Sequence, residues 1–338
     1  MKHKQQYMGS SVSSKTSSSD GSVPNTLLET STTNEEENVE HHHVISMDPT
    51  TVLKIKESVL RHAKHYSHRE FSELRNFEKS LEPVDFTSAL KHPNKNRYGN
   101  VLANECTRVI LENDPEYYVN ANNIQIGNEI LYIAGQGPLP QTIYDFWRMI
   151  IEKNVSVILM LSNVIEQSRP KCAQYWPDTT EIHKQTDMNQ KEQRDILIQN
   201  NKEEFVGNED IIHRFLNVQF QGDQVHRVNL IHFTAWPDFG VPDLTSFQHV
   251  VQHVNNVNSP KGSPIFVHCS AGIGRTGTFC LVDSILKDFY KTYALNPTQI
   301  MERAMSLKKQ RYGMIQTAEQ YDFAYRSIAT IIGSLAQQ

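Results

Sequence analysis

The segment Ile265–Gly277, IFVHCSAGIGRTG, changes its structural period halfway along, and this constrains the fold more than any other stretch of the chain. Ile265 to His268 is a short continuous apolar run of the kind a buried strand makes. From Thr276 to Tyr293 the pattern turns helical. Ser270, Ala271, Gly272 and Gly274 occupy most of the interval and carry little side-chain bulk. A strand that hands over to a helix through so small a loop belongs to an α/β architecture, with the loop at the end of the strand.

A loop this bare lets its backbone N–H groups turn inward together as an anion cradle. The helix that follows adds the positive end of its dipole. Arg275, six positions after Cys269, supplies a planar guanidinium that grips two phosphate oxygens at once. The same electropositive ring favours the thiolate of Cys269, the species that acts as a nucleophile. His268 stands next to it, placed to hydrogen bond the surrounding backbone. A cysteine and an arginine at this distance arise often by chance, and a buried structural thiol in a glycine-rich turn is the plainer reading. The two glycines between them, the strand before and the helix after favour the chemical one.

A thiolate attacking phosphorus needs a carboxylic acid to protonate the departing oxygen, carried on an element that can move. Trp236-Pro237-Asp238-Phe239-Gly240 supplies one. It follows the strand ending in Ile231-His232-Phe233, and Pro and Gly bracket an Asp set between two aromatic residues suited to act as hinge and lid. Asp238 is the candidate general acid and, once ionised, the candidate base toward the attacking water. Standing alone, the segment reads as a turn with a solvated carboxylate.

Residues 1–50 are a different material, rich in Ser, Thr, Asn and Glu, and are expected to stay disordered because they cannot bury enough apolar surface to offset ordering entropy. They hold three Lys against seven Asp and Glu, and so four of the chain's five net negative charges. Residues 51–338 are nearly neutral, and no basic field argues for nucleic acid. His41, His42 and His43 read more readily as solvated side chains of this acidic tail than as a metal site. Met1 to Ser10 lacks an apolar core, so no secretory signal is expected, and no run of about 18 apolar residues argues for a membrane span. Four cysteines without metal-type spacing are too few for a disulfide scaffold in 338 residues and point to a reducing compartment, the cytoplasm.

Within residues 51–338 the pattern from Val52 to Leu81 predicts one or two amphipathic helices. Val155–Leu161 reads as a buried central strand, and Phe215–Phe220 with Val225–Phe233 as a hairpin around Gln221-Gly222-Asp223. Thr298–Lys309 and Thr317–Leu335 read as two closing helices.

Six strings, NKNRY, GPLPQTIYDFWRM, KCAQYWP, WPDFGVP, HCSAGIGRTG and IQTAEQY, occur in this order. On them the chain resembles the tyrosine-specific, cysteine-based protein phosphatases of the non-receptor, single-catalytic-domain type, from about Phe71 to Ile331. The resemblance implies a twisted mixed β-sheet flanked by helices over residues 51–338, and hydrolysis of phosphotyrosine in proteins through a cysteinyl-phosphate on Cys269. It implies no metal and no organic cofactor, and a chain acting as a monomer on phosphotyrosine-containing proteins. Ser270, Ala271, Gly272, Ile273 and Gly274 would cradle the phosphate with Arg275. Tyr98 would stack on the substrate ring and set a depth that phosphoserine cannot span, with Phe239 closing from the other side. Gln316 and Gln320 would place the hydrolytic water, and Thr276 would donate to the leaving thiolate. Glu166 would orient Arg275, Lys171 would lie near the acid loop, and Trp236 would anchor that loop. For Glu166 and Lys171 a surface ion pair is the rival reading.

Departures from the family pattern are Asn100, where many members carry an aspartate toward the peptide backbone, and Gly135, where threonine is usual. Gly313 would leave the pocket entrance open to extended or neighbouring acidic groups, with Lys308 and Arg311 available to assist unless they are simply solvated. A dual-specificity enzyme, with a shallower pocket, is disfavoured by Tyr98. A non-catalytic phosphotyrosine binder is disfavoured by the presence of both Cys269 and Asp238.

Overall fold

The computed structural model of the chain describes residues 47–111, 114–178, 195–220, 222–238, 240–257 and 262–337, together with the backbone of 182–186. The expected disordered tail, up to residue 46, the three adjacent histidines and Phe239 lie outside the described residues.

The pattern that allows one helix or two after Val52 resolves as a single helix, α1, Pro49–Ser80. Asp48 caps it by accepting from the Thr51 N–H at 3.0 Å, and Pro49 occupies the first turn, where a missing N–H costs nothing. Its buried stripe, Val52, Val59, Ala63, Phe71 and Leu74, continues across the whole length. A short helix α2, Thr87–Lys91, follows, and α3 spans Ile143–Glu152. The remaining helices are α4, Leu244–Asn256, α5, Gly274–Thr292, α6, Thr298–Gln310, and α7, Ala318–Ser334. α4 and α7 are capped by Asp243 and Thr317, whose side chains accept from first-turn amides. α1 lies along α7 and also reaches α6.

The strands are β1, Ala121–Ile126, β2, Glu129–Gly135, β3, Val157–Met160, β4, Ile165–Glu166, β5, Arg169–Pro170, β6, Ile182–Thr186, β7, Asp195–Val206, β8, Ile211–Phe220, β9, His226–Phe233, and β10, Ile265–His268. Eight of them form one twisted mixed sheet in the order β1-β2-β10-β3-β9-β8-β7-β6, while β4 and β5 pair separately. The expected hairpin is β8–β9, antiparallel, with Val218 opposite His226. The four inner strands β2, β10, β3 and β9 are parallel, and the flanking pairs are antiparallel.

Register fixes where the chemistry sits. His268 lies opposite both Gly135 and Met160, and Met160 lies opposite His232. The four parallel strands therefore end at one edge of the sheet, and the loops after them emerge together, the position at which open α/β sheets gather ligand-binding loops. Alternation along β10 divides the core: Ile265 and Val267 face the cluster built with α1, α4, α5, α6 and α7, while Phe266 faces the one built with α3.

Candidate active site

Cys269 follows β10 directly and is 5% exposed, at the floor of a cleft of about 330 Å³. Its Sγ accepts from the Gly272 N–H at 3.3 Å and from Thr276 Oγ1 at 3.4 Å. The loop closes tightly enough to specify its glycines. Gly272 has φ +72°, and a Cβ there would stand 1.9 Å from the Gly135 carbonyl oxygen. A Cβ on Gly274 would meet Gln316 Oε1 at 2.6 Å, so the absence of a side chain lets that amide approach the loop. α5 opens without a side-chain cap, so no side-chain oxygen at Ile273 competes with an anion for its first-turn amides.

The underside of the bowl is held by Arg311. Its Nε donates to Gly272 O at 2.8 Å and its Nη2 to Ala271 O at 3.0 Å, which keeps two carbonyls turned outward and leaves the amides for the inside. Asn122 Oδ1 accepts from its Nη1 at 2.7 Å and Asn120 Oδ1 from its Nη2 at 2.9 Å. Arg311 is completely buried, and burial pushes its guanidinium down to about 10, still charged at neutral pH. His268 supports the same loop. Its Nδ1 donates to the Cys269 carbonyl at 3.0 Å, which leaves Nε2 to accept from the Tyr175 hydroxyl at 2.8 Å. Burial pushes its imidazole down to about 3, so it stays neutral.

Arg275, at the start of α5, donates from Nη1 to Glu166 Oε1 at 2.6 Å and from Nη2 to Glu166 Oε2 at 3.0 Å. Leu161 O and Pro237 O accept further bonds from it, each at 3.0 Å. Glu166, on β4, is 7% exposed and also accepts from the Asn163 N–H, so the pair is buried and aimed, not a loose surface contact. Lys171 Nζ reaches Asp238 Oδ1 at 3.0 Å, and Arg275 Nη2 lies 3.9 Å from the same oxygen. The acid loop is thus drawn over the cleft. Hydrogen bonding from Lys171 is the main cause that holds the Asp238 carboxyl below the usual carboxylate range. Trp236 roots the loop: it is buried against Phe247 and Phe323, with Nε1 donating to Gly240 O at 3.3 Å.

Tyr98 forms part of the rim, half-exposed, with its hydroxyl donating to Ser270 Oγ at 2.8 Å; Ser270 uses its own hydrogen on Lys171 O. Asn100 lines the cleft beside it. Gln316 is exposed and also lines the cleft, and Gln320 Oε1 accepts from its backbone N–H at 3.0 Å. Cys269, Ser270, Ala271, Arg275, Asp238, Lys171, Glu166, Tyr98, Gln316 and Gln320 thus share one cleft, while Ile273 packs beneath it and His268, Thr276 and Trp236 act from behind.

At the entrance the structure departs from the expectation. Lys308 and Arg311 are not available to acidic groups, for both are buried at 1% and 0% exposure. Lys308 is paired with Glu78 of α1 at 3.1 Å, and Arg311 is consumed by the cradle. Gly313, φ +87°, donates its N–H to the same Glu78 carboxylate at 2.7 Å. Gly135 has a local reason, because a Cβ there would press the Phe266 ring at 2.9 Å. The supporting roles of Arg311 and Tyr175 carry no sequence signal, since both depend on partners far along the chain.

The protein-tyrosine phosphatase family model matches residues 92–330. The chain is 38% identical over 273 residues to tyrosine-protein phosphatase non-receptor type 20 of Rattus norvegicus, covering 79% of this chain and 61% of that protein. It is 41% identical over 248 residues to receptor-type tyrosine-protein phosphatase eta of Gallus gallus, covering 71% of this chain and 17% of that protein. Less than two thirds of either relative is therefore spanned. Among solved structures, the catalytic domain of human protein tyrosine phosphatase non-receptor type 18 aligns with TM-score 0.72 at 32% identity, over 81% of this chain and 99% of the other. PTPN18 in complex with HER2 phosphopeptides aligns with TM-score 0.71 at 31% identity, over 82% and 99%. With the sheet, the loops at its edge and the matched span in agreement, the chain belongs to the protein-tyrosine phosphatase family.

Proposed function

We propose that the chain hydrolyses phosphotyrosine in proteins through a cysteinyl-phosphate on Cys269, with residues 51–338 as the catalytic unit and no metal or organic cofactor. The observation that carries this reading is the convergence of Cys269, Arg275, Asp238 and Gln316 on one cleft.

The phosphoryl dianion sits in the bowl of loop amides, with one oxygen on the free Nε–H of Arg275 and a second on Nη2, which gives up the Pro237 carbonyl to take it, while Glu166 fixes the plane of the guanidinium. The Cys269 thiolate attacks phosphorus as the aryl P–O bond breaks, and the departing phenolate takes the proton of Asp238. Lys171 favours ionised Asp238 in the free cleft, whereas a phosphoryl dianion beside the carboxyl opposes ionisation, so substrate arms the acid. Water, placed by Gln316 and Gln320, then attacks phosphorus and gives its proton to Asp238. The P–S bond breaks, and Thr276 Oγ1 donates to the restored thiolate. Selectivity follows from depth: the sulfur is at the floor and Tyr98 at the rim, so a side chain shorter by an aromatic ring fails to reach. The chain acts in the cytoplasm as a monomer, a setting that suits its four free thiols. No described helix is long and apolar enough to cross a membrane.

Two peptides alike except for phosphotyrosine or phosphothreonine test the reading. Phosphate release from the first alone is expected, and comparable turnover of both would overturn it.

A further inference from the structure

α1 ends before residue 92, where the family match begins, yet two of its carboxylates grip the segment that carries Gln316 and Gln320. Glu78 Oε1 accepts from the Gly313 N–H at 2.7 Å and from Lys308 Nζ at 3.1 Å. Glu70 Oε2 accepts from the hydroxyls of Tyr321 and Tyr325 at 2.9 and 2.7 Å, while its Oε1 meets His62 Nε2 at 2.7 Å. Lys308, Tyr321 and Tyr325 are buried, as is Glu70. One carboxylate therefore holds the chain just before Gln316, and the other holds the residue directly after Gln320.

Between these anchors the backbone is strained. Ile315 has φ +61°, a left-handed conformation that a β-branched residue adopts only when its surroundings impose it. Two contacts impose it here: its N–H donates to Ile273 O at 3.0 Å, and its carbonyl accepts from Lys308 Nζ at 3.4 Å. Lys308 is itself held by Glu78. A chain of contacts thus runs from α1 through Lys308 to Ile315, the residue that sets the direction of Gln316. Cys269 and Asp238 are carried by loops and Arg275 by α5, and among the described residues none of the three hydrogen bonds to α1.

We propose that Glu78, assisted by Glu70, is a positioning residue for the second half-reaction, fixing the Lys308–Tyr321 backbone so that Gln316 and Gln320 address the cysteinyl-phosphate. The inference rests on the phosphatase reading above. Loosening α1 at these carboxylates slows hydrolysis of the intermediate and spares its formation, because Arg311, in the same segment, stays locked to the bowl by its own bonds to Asn120, Asn122, Ala271 and Gly272. Because kcat/KM reports steps up to the first irreversible one, kcat and KM then fall together.

The test uses the full chain with p-nitrophenyl phosphate, comparing wild type with Glu78→Ala, Glu78→Gln and Val59→Ala. Glu78→Ala is expected to lower kcat about tenfold with kcat/KM within about twofold of wild type, and to raise the acid-quenched fraction of phosphorylated chain. Glu78→Gln keeps an acceptor for the Gly313 N–H and falls between. Val59→Ala loosens α1 through its apolar stripe alone and is expected to lower Tm without changing the ratio of kcat to kcat/KM. Parallel loss of kcat and kcat/KM in Glu78→Ala, or the same kinetic signature in Val59→Ala, would reduce α1 to a scaffold and overturn the proposal. Should Glu78→Ala not fold, Glu78→Gln decides: kinetics equal to wild type would likewise overturn it. An inactive wild type defeats the phosphatase reading and this inference with it, whereas an active wild type with unaltered partition in the Glu78 variants defeats the inference alone.

Discussion

Arg275 and Glu166 meet as two parallel hydrogen-bonded pairs, Nη1 to Oε1 at 2.6 Å and Nη2 to Oε2 at 3.0 Å, with side chains only 11% and 5% exposed. A planar guanidinium gripped on one edge has no freedom to rotate, so its other edge faces the cleft in one orientation. The pair therefore orders the cleft-facing side of the arginine, at the cost of burying both charges.

Glu166→Gln removes the charge and one of the two matched acceptors. Expected outcomes are a fall in kcat/KM of about tenfold or more and weaker inhibition by vanadate, a phosphate-shaped oxyanion. Steady-state kinetics with an inhibition series check this. Unchanged vanadate affinity would show that Arg275 keeps its orientation without its partner.

The contact between Lys171 and Asp238 sets a pH dependence. As the proposed general acid, Asp238 acts only when protonated, and Lys171 holds its carboxyl below the usual range, so its protonated fraction in the free chain is lost at lower pH than for an ordinary aspartate. Lys171→Met removes the largest cause of that shift. The descending limb of the kcat/KM profile is expected to move to higher pH, and a limb that stays or moves down would contradict the assignment of either residue.

Two buried histidines make the fold acid-sensitive. Burial pushes His268 down to about 3 and His232 down to about 4. Below about pH 6.5 the unfolded chain therefore binds protons that the folded chain refuses, and stability falls as pH falls from there toward 4. Each ring contributes on the order of a few kcal/mol across that window. His232→Gln, which retains an N–H for the Ser162 carbonyl, is expected to flatten the decline of Tm with pH. The same slope in both proteins would reject His232 as a source.

Contiguous features were the legible ones. His268, Cys269, the small-residue loop and Arg275 sit within one strand-loop-helix passage, so local spacing reveals both the bowl and the guanidinium. The β8–β9 hairpin announces itself through alternation on either side of a glycine turn. β1, reading ANNIQI, and β7, reading DILIQNNKEEFV, escape notice because their polar residues break alternation. Lys308 and Arg311 look like the solvated basic end of a helix, and only tertiary partners on α1 and in the cysteine loop account for their burial. Glu70 and Glu78 are hidden for the same reason: among the exposed charges of α1 nothing local distinguishes a carboxylate that meets Tyr321 or Gly313 more than 200 residues on.

The central claim is that the sulfur of Cys269 takes the phosphoryl group. Quenching the wild-type chain in acid during turnover of a phosphotyrosine peptide, then digesting it and locating phosphate by mass spectrometry, tests this directly. The account predicts phosphate on Cys269 in the wild type and none in Cys269→Ser, which should also lack turnover. Turnover that proceeds with phosphate on another residue, or that survives Cys269→Ser, would contradict it.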